Sequence, residues 1–187
     1  MAGADKQDLR EELLQERRAL TPAAIEAARS AVRAAVLARQ DADGWTAVAA
    51  YRPLRTEPGS NELLEELITR GVRVLVPVTL PDRDLDWVEL PGDRPLTVDA
   101  ISSVDAVLVP ALAVTTGGLR LGRGGGSYDR ALARVRAGVP VVALVYDAEV
   151  LAQVPSDPWD RPVTACVTPG AGWLDLGQAP TGRGNRS

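Results

Sequence analysis

The sequence predicts an α/β fold, a single domain with a mainly parallel sheet flanked by helices. Two observations carry this prediction. The valine-rich runs "TAVAAY", "VRVLVPV", "AVLVPALAV" and "VPVVALVY" are apolar on both faces, as buried parallel strands are. Segments of helical spacing separate them, which is the pattern of crossover connections. In chain order, Asp5 is placed to cap a helix from Lys6 to about Ala19. Thr21 caps a second helix, with Pro22 at its first position and an end near Gln40. Thr46 to Tyr51 is a short strand, followed by the loop "RPLRTEPGS" and a helix from Asn61 to Arg70 that Gly71 stops. Val72 to Val78 is the next strand, and "DLDWVEL" an edge strand. Ala106 to Val114 is a third apolar run broken by Pro110. After a glycine-rich loop, "YDRALARVRA" is helical as far as Gly138. Val139 to Tyr146 and the short Thr164 to Thr168 complete the sheet. No internal repeat occurs.

At 187 residues and 45% hydrophobic composition, one self-sufficient core is expected. The domain is expected over residues 1–168. Residues 169–187 are expected to be a flexible C-terminal tail, because "GQAPTGRGNRS" has almost nothing to bury. The longest purely apolar run, Val139 to Tyr146, is too short to cross a bilayer, and residues 1–20 hold no apolar core of a secretion signal. A cytoplasmic protein without a membrane partner is the expectation. The net charge of −4 and the lack of long basic blocks argue against nucleic acid. Cys166 is alone, so no internal disulfide forms, and its apolar setting reads as a small core residue. With no histidine, the commonest general base and most catalytic zinc sites are excluded. Of 21 basic residues only Lys6 is lysine, the one compact ammonium in the chain.

"RLGRGGGSYDR", Arg120 to Arg130, joins a strand to a helix beginning near Ser127. Bare backbone N–H groups at a helix start bind anions, arginines supply forked donors to phosphate, and Asp129 could hold a magnesium ion. The plainer alternative is a flexible connection whose glycines tolerate positive φ and whose Ser127 caps the helix. No Walker lysine is present, and the run does not open directly from a strand as a dinucleotide fingerprint does.

The succession "VPALAVTTGGLRLGRGGGSYDRAL" resembles the signature of the 5-formyltetrahydrofolate cyclo-ligase family, V-P-G-hydrophobic-A-F-D followed by G-x-R-L-G-x-G-x-G-Y-Y-D-R. "KQDLREELLQERRAL" is similar to the family's opening K-x-x-L-R helix. "YRPLRTEPGSNELLEEL" is similar to its Y-x-P-x-x-x-E segment, and "VLAQVPSDPWDRPVTACVT" to its V-P-x-x-x-x-D closing segment. The resemblance implies an enzyme that uses ATP and magnesium to convert 5-formyltetrahydrofolate to 5,10-methenyltetrahydrofolate. It implies a fold of the sugar isomerase and coenzyme A transferase type; a monomer acting on a small-molecule folate and ATP, with no nucleic-acid or membrane partner, is the expectation. In that chemistry the formyl oxygen attacks the γ-phosphate, giving an imino-phosphate; the neighbouring anilinic nitrogen closes the ring and phosphate leaves.

Roles follow from the matched positions. ATP contact falls on Lys6, Arg10, Arg120, Leu121, Gly122, Arg123, Gly124, Gly125, Gly126, Ser127 and Tyr128. Folate contact falls on Arg10, Leu54, Glu57, Arg123, Gly124, Gly125, Gly126 and Ser127. Arg123 and Tyr128 are the catalytic candidates, and Asp129 and Asp160 the magnesium ligands. Without the resemblance, Lys6 and Arg10 read as a solvated helical face paired with Glu11 and Glu12, Glu57 as an exposed loop carboxylate, and Asp160 as a surface partner of arginine. Four positions depart from the family pattern: Ser127 for a tyrosine, Val114 for an aromatic, Thr115 for an aspartate and Gly59 for a second acid. An altered folate pocket is therefore expected, with Trp87, Trp159 or Tyr51 supplying the aromatic contact. The departures also keep open a non-catalytic folate- or nucleotide-binding regulator of the same descent.

Overall fold

The structure, a computed structural model, describes residues 2–177. Helix α1 (Ala2–Ala19) leads into α2 (Pro22–Asp43), and the strands begin with β1 (Ala47–Ala49). Helix α3 (Asn61–Thr69) connects β1 to β2 (Arg73–Thr79), which turns back into β3 (Leu85–Leu90). Strand β4 (Ala106–Pro110) is followed by β5 (Ala113–Thr115), β6 (Arg120–Leu121), α4 (Ser127–Leu132), β7 (Val141–Leu144), β8 (Val150–Leu151), β9 (Ala165–Thr168) and β10 (Gly172–Asp175). The main sheet has the order β10-β9-β7-β4-β1-β2-β3. Its five inner strands are parallel, and β3 and β10 close the edges antiparallel. The expected mainly parallel sheet and the edge position of β3 are both present.

Strand alternation sorts the core into two layers. Val48, Val74, Val76, Val142 and Leu144 face one way and pack with Val32, Val36 and Leu37 of α2 and Leu63 and Leu67 of α3. Their neighbours Ala47, Leu75, Val107, Val141 and Ala143 face the other way, onto Ile101, Val104 and the α4 residues Ala131 and Leu132. Cys166 lies wholly buried in this second layer, where burial pushes its thiol up to about 11.

Five local expectations are revised. Helix α1 starts at Ala2, so Asp5 is inside it rather than capping it; Ala2 to Ala4 hold no breaker stronger than one glycine. Helix α2 runs past Gln40 to Asp43, where Gly44 at φ 68° ends it. Helix α4 stops at Leu132 because the chain tightens into i→i+3 bonds, Arg134 N–H to Ala131 O and Val135 N–H to Leu132 O. The apolar run broken at Pro110 divides between two sheets: β5 belongs to a second, three-stranded sheet with β6 and β8, on which Leu9, Leu13 and Leu14 of α1 pack. The sheet also continues beyond residue 168. Strand β10 pairs with β9, and Trp173 meets Trp45 at 6.0 Å between ring centroids. Residues 178–187 of the expected tail lie outside the described residues. Among the described residues no helix is long and apolar enough to cross a membrane.

Candidate active site

The carboxyl ends of β1, β2 and β4 open onto one cavity of about 420 Å³, bounded also by α1, the glycine loop and residues 157–160. Ligands of open parallel sheets gather at this end of the strands. Every site residue expected from the sequence lines this cavity: Lys6, Arg10, Leu54, Glu57, Arg120 through Asp129, and Asp160.

The glycine loop owes its path to backbone that only glycine adopts freely, with φ of 100° at Gly124 and 67° at Gly126. Its walls are cationic. Arg10 donates from Nε to the Gly122 carbonyl at 2.9 Å, and a Cβ on Gly124 would lie 3.4 Å from the Arg10 guanidinium carbon. Arg120 extends under the loop, donating to the Pro110 carbonyl and, at 3.2 Å, to Asp129 Oδ1, while its buried Nε has no partner among the described residues. The same guanidinium stands 5.7 Å from the Tyr128 ring centroid. Burial raises the Tyr128 phenol far above its ordinary value, against the pull of Arg120, so Tyr128 remains a neutral donor and an apolar ring rather than a base.

Glu57 is buried, not an exposed loop acid. Its Oε2 accepts from the Leu54 N–H at 2.8 Å and its Oε1 lies 3.5 Å from Arg123 Nε, although the Arg123 side chain is 43% exposed. The loop carrying both Leu54 and Glu57 is held from beneath. Arg29 donates to the carbonyls of Leu54, Arg55 and Glu57, and the Tyr146 hydroxyl donates to that of Thr56.

Lys6 Nζ donates to Asp157 Oδ2 at 2.6 Å and to Asp160 Oδ2 at 2.8 Å. Burial works to lower its pKa, yet these two bonds and charges prevail and raise it. Asp160 Oδ2 also accepts from the Asp157 N–H at 2.7 Å. Among the described residues no group of three or more His, Cys, Asp or Glu side chains forms a metal cage. That donor set fits magnesium nonetheless, because this ion is usually held by one or two carboxylates together with substrate phosphates. Asp129 and Asp160 both face the cavity.

Sequence reasoning missed Asp157, whose link to Lys6 spans 151 positions, and Arg52 and Thr79, which also line the cavity. It missed the buried Arg17–Glu149 pair as well. Of the aromatic candidates, Tyr51 and the 69% exposed Trp159 line the cavity. Trp87 does not: it is wholly buried in the core layer beside α4. The departures at Val114 and Thr115 lie away from the cavity lining. Val114 is a core residue, and Thr115 Oγ1 accepts from the Leu119 N–H to close the β5–β6 turn. Gly59 is required by its neighbour, since a Cβ there would meet the Tyr51 hydroxyl at 2.8 Å.

Comparison with known proteins matches residues 2–169 to the model of the 5-formyltetrahydrofolate cyclo-ligase family. A protein of Mycolicibacterium smegmatis named 5-formyltetrahydrofolate cyclo-ligase is 38% identical over 195 residues, covering 94% of this chain and all of the relative. The Escherichia coli K12 protein of the same name is 29% identical over 144 residues, 67% of this chain and 79% of its own. Two solved structures share the fold at a TM-score of 0.75 and 22% identity, both 5,10-methenyltetrahydrofolate synthetases. That of Mycoplasma pneumoniae covers 87% of this chain and 97% of its own, and that of Aquifex aeolicus 97% and 96%.

Proposed function

The chain belongs to the 5-formyltetrahydrofolate cyclo-ligase family, and from that premise we propose that it converts 5-formyltetrahydrofolate to 5,10-methenyltetrahydrofolate at the expense of ATP with magnesium. The observation that carries this reading is the Arg123–Glu57 approach at 3.5 Å, which joins the glycine loop to the Leu54–Glu57 loop across one cavity. A phosphoryl donor on the first loop and a formyl acceptor on the second would then meet at Arg123.

In this reading, the N–H groups and cations around Gly122 to Gly126 take the phosphates, with Lys6 and Arg10 one helical turn apart on α1. Asp129 and Asp160 would hold a magnesium ion, which would supply charge neutralisation for the phosphates. The formyl oxygen attacks the γ-phosphorus, ADP departs, and the oxygen is carried as an imino-phosphate. The anilinic nitrogen then adds to the formyl carbon, the C–O bond breaks, phosphate leaves, and the nitrogen gives up its proton. Phosphorylation makes a poor leaving group into a good one, so the protein chiefly aligns reactants and neutralises charge. A histidine-free site suffices for that work. Arg123 stabilises the transferring phosphoryl, and neutral Tyr128 positions the reactants through its ring and hydroxyl.

The test is to mix purified protein, Mg-ATP and 5-formyltetrahydrofolate and follow the absorbance of the methenyl product. Product that requires ATP is expected. Its absence at high enzyme concentration would leave a ligand-binding regulator.

A further inference from the structure

Lys6 lies between two carboxylates. Two carboxylate oxygens, Asp157 Oδ2 and Asp160 Oδ2, converge on its Nζ at 2.6 and 2.8 Å. The Asp157 N–H fixes one of them from the other side. Arg120 lines the same cavity, its side chain 6% exposed and its buried Nε without a partner among the described residues. The geometry points to Lys6 as an internal place-holder for the divalent cation, exchanged for it when a metal–triphosphate complex enters. The inference rests on the proposed reading of the glycine loop as a phosphate site.

Charge explains why the exchange would select the complex over either part. With Lys6 between them, two carboxylates keep one net negative charge, so a free divalent ion must first displace an ammonium that has nowhere better to go. A triphosphate without metal brings its own negative charge toward the same carboxylates. The complex meets both requirements at once: its metal satisfies Asp157 and Asp160, and its phosphate oxygens receive Lys6. Arg10, one turn along α1, already reaches the glycine loop through the Gly122 carbonyl, so Lys6 has only to turn within the same cavity. Asp157 thereby joins Asp160 as a carboxylate on the metal side.

Mn²⁺ is the probe, its free fraction read by electron paramagnetic resonance, with no folate and no turnover. Wild type is expected to bind Mn²⁺ alone weakly and to bind it much more tightly when a non-hydrolysable triphosphate analogue is present. Lys6→Gln should bind Mn²⁺ alone about tenfold more tightly than wild type, because one charge at contact distance is removed. It should gain less from the analogue. Lys6→Gln/Asp157→Asn/Asp160→Asn should lose that advantage, and melting temperatures of the same samples establish that each variant is folded. Lys6→Met serves if Lys6→Gln is not. Equal or weaker Mn²⁺ binding by folded Lys6 variants would overturn the inference, as would an advantage that survives removal of both aspartates. A wild type that binds Mn²⁺ as described but makes no methenyl product would refute the proposed reaction and leave the exchange standing.

Discussion

Arg17 Nε and Glu149 Oε1 meet at 2.6 Å across 132 positions of sequence, with 1% and 4% of their side chains exposed. Arg17 also donates to the Ala111 carbonyl at 2.6 Å, and Glu149 accepts from the Tyr146 N–H. The pair therefore fastens α1 to the strand ends that border the cavity.

Breaking one side of this pair leaves a buried charge alone. Arg17→Met is expected to lower unfolding stability by about 3–5 kcal/mol. Arg17→Met/Glu149→Leu, which removes both charges, should cost less than the sum of the single changes. Denaturant midpoints of the two singles and the double give the answer; strict additivity would mean that the two residues do not act together.

Restoring the acid that the family pattern carries at Gly59 should harm rather than help. The new Cβ would stand 2.8 Å from the Tyr51 hydroxyl and 3.4 Å from Leu144 Cδ1. Gly59→Asp is expected to cost about 1–3 kcal/mol by overpacking. Adding Tyr51→Phe removes the offending oxygen, and the melting temperature should recover in part.

Arg123→Ala tests the proposed chemistry. Its side chain is 43% exposed and its ion contact with Glu57 is a loose 3.5 Å, so folding stability should change by no more than about 0.5 kcal/mol. Turnover should fall about a hundredfold or more, as when a transition-state donor is removed. An equal collapse of the melting temperature would make the loop arginine structural.

Acid should weaken the fold through two carboxylates. Asp84 is held below its ordinary value first by the Arg134 side chain, which donates at 2.6 Å. Asp105 is held down first by the Thr46 N–H, at 2.8 Å. A folded pKa below the unfolded value, about 3.9, contributes stability above that pH and loses it as pH falls through the folded value. Urea unfolding from pH 6 down to pH 2 should show stability dropping mainly below about pH 4. Asp84→Asn and Asp105→Asn should each be less stable at pH 6 and show a shallower drop.

The parts of the fold legible in the sequence are those set by local pattern. Thr21 caps α2 as its sequence position predicts, and valine-rich runs form the inner strands, because caps and periodicity need only near neighbours. Strands β6 and β8 are two residues each and carry no period, so the second sheet was invisible. The C-terminal strand was hidden because its anchor, Trp173 against Trp45, is a long-range contact. The candidate site divides the same way. The glycine loop is one contiguous motif, whereas Asp157 matters through a residue 151 positions distant.

Lys6 is the chain's only lysine, and it lies inside the cavity. Reagents that attach proteins to sensor chips through ε-amines would therefore have no harmless surface to grip. Any such linkage that succeeded away from the amino terminus would plug the cavity at Lys6, so immobilised preparations would be best anchored through carboxylates or an added tag.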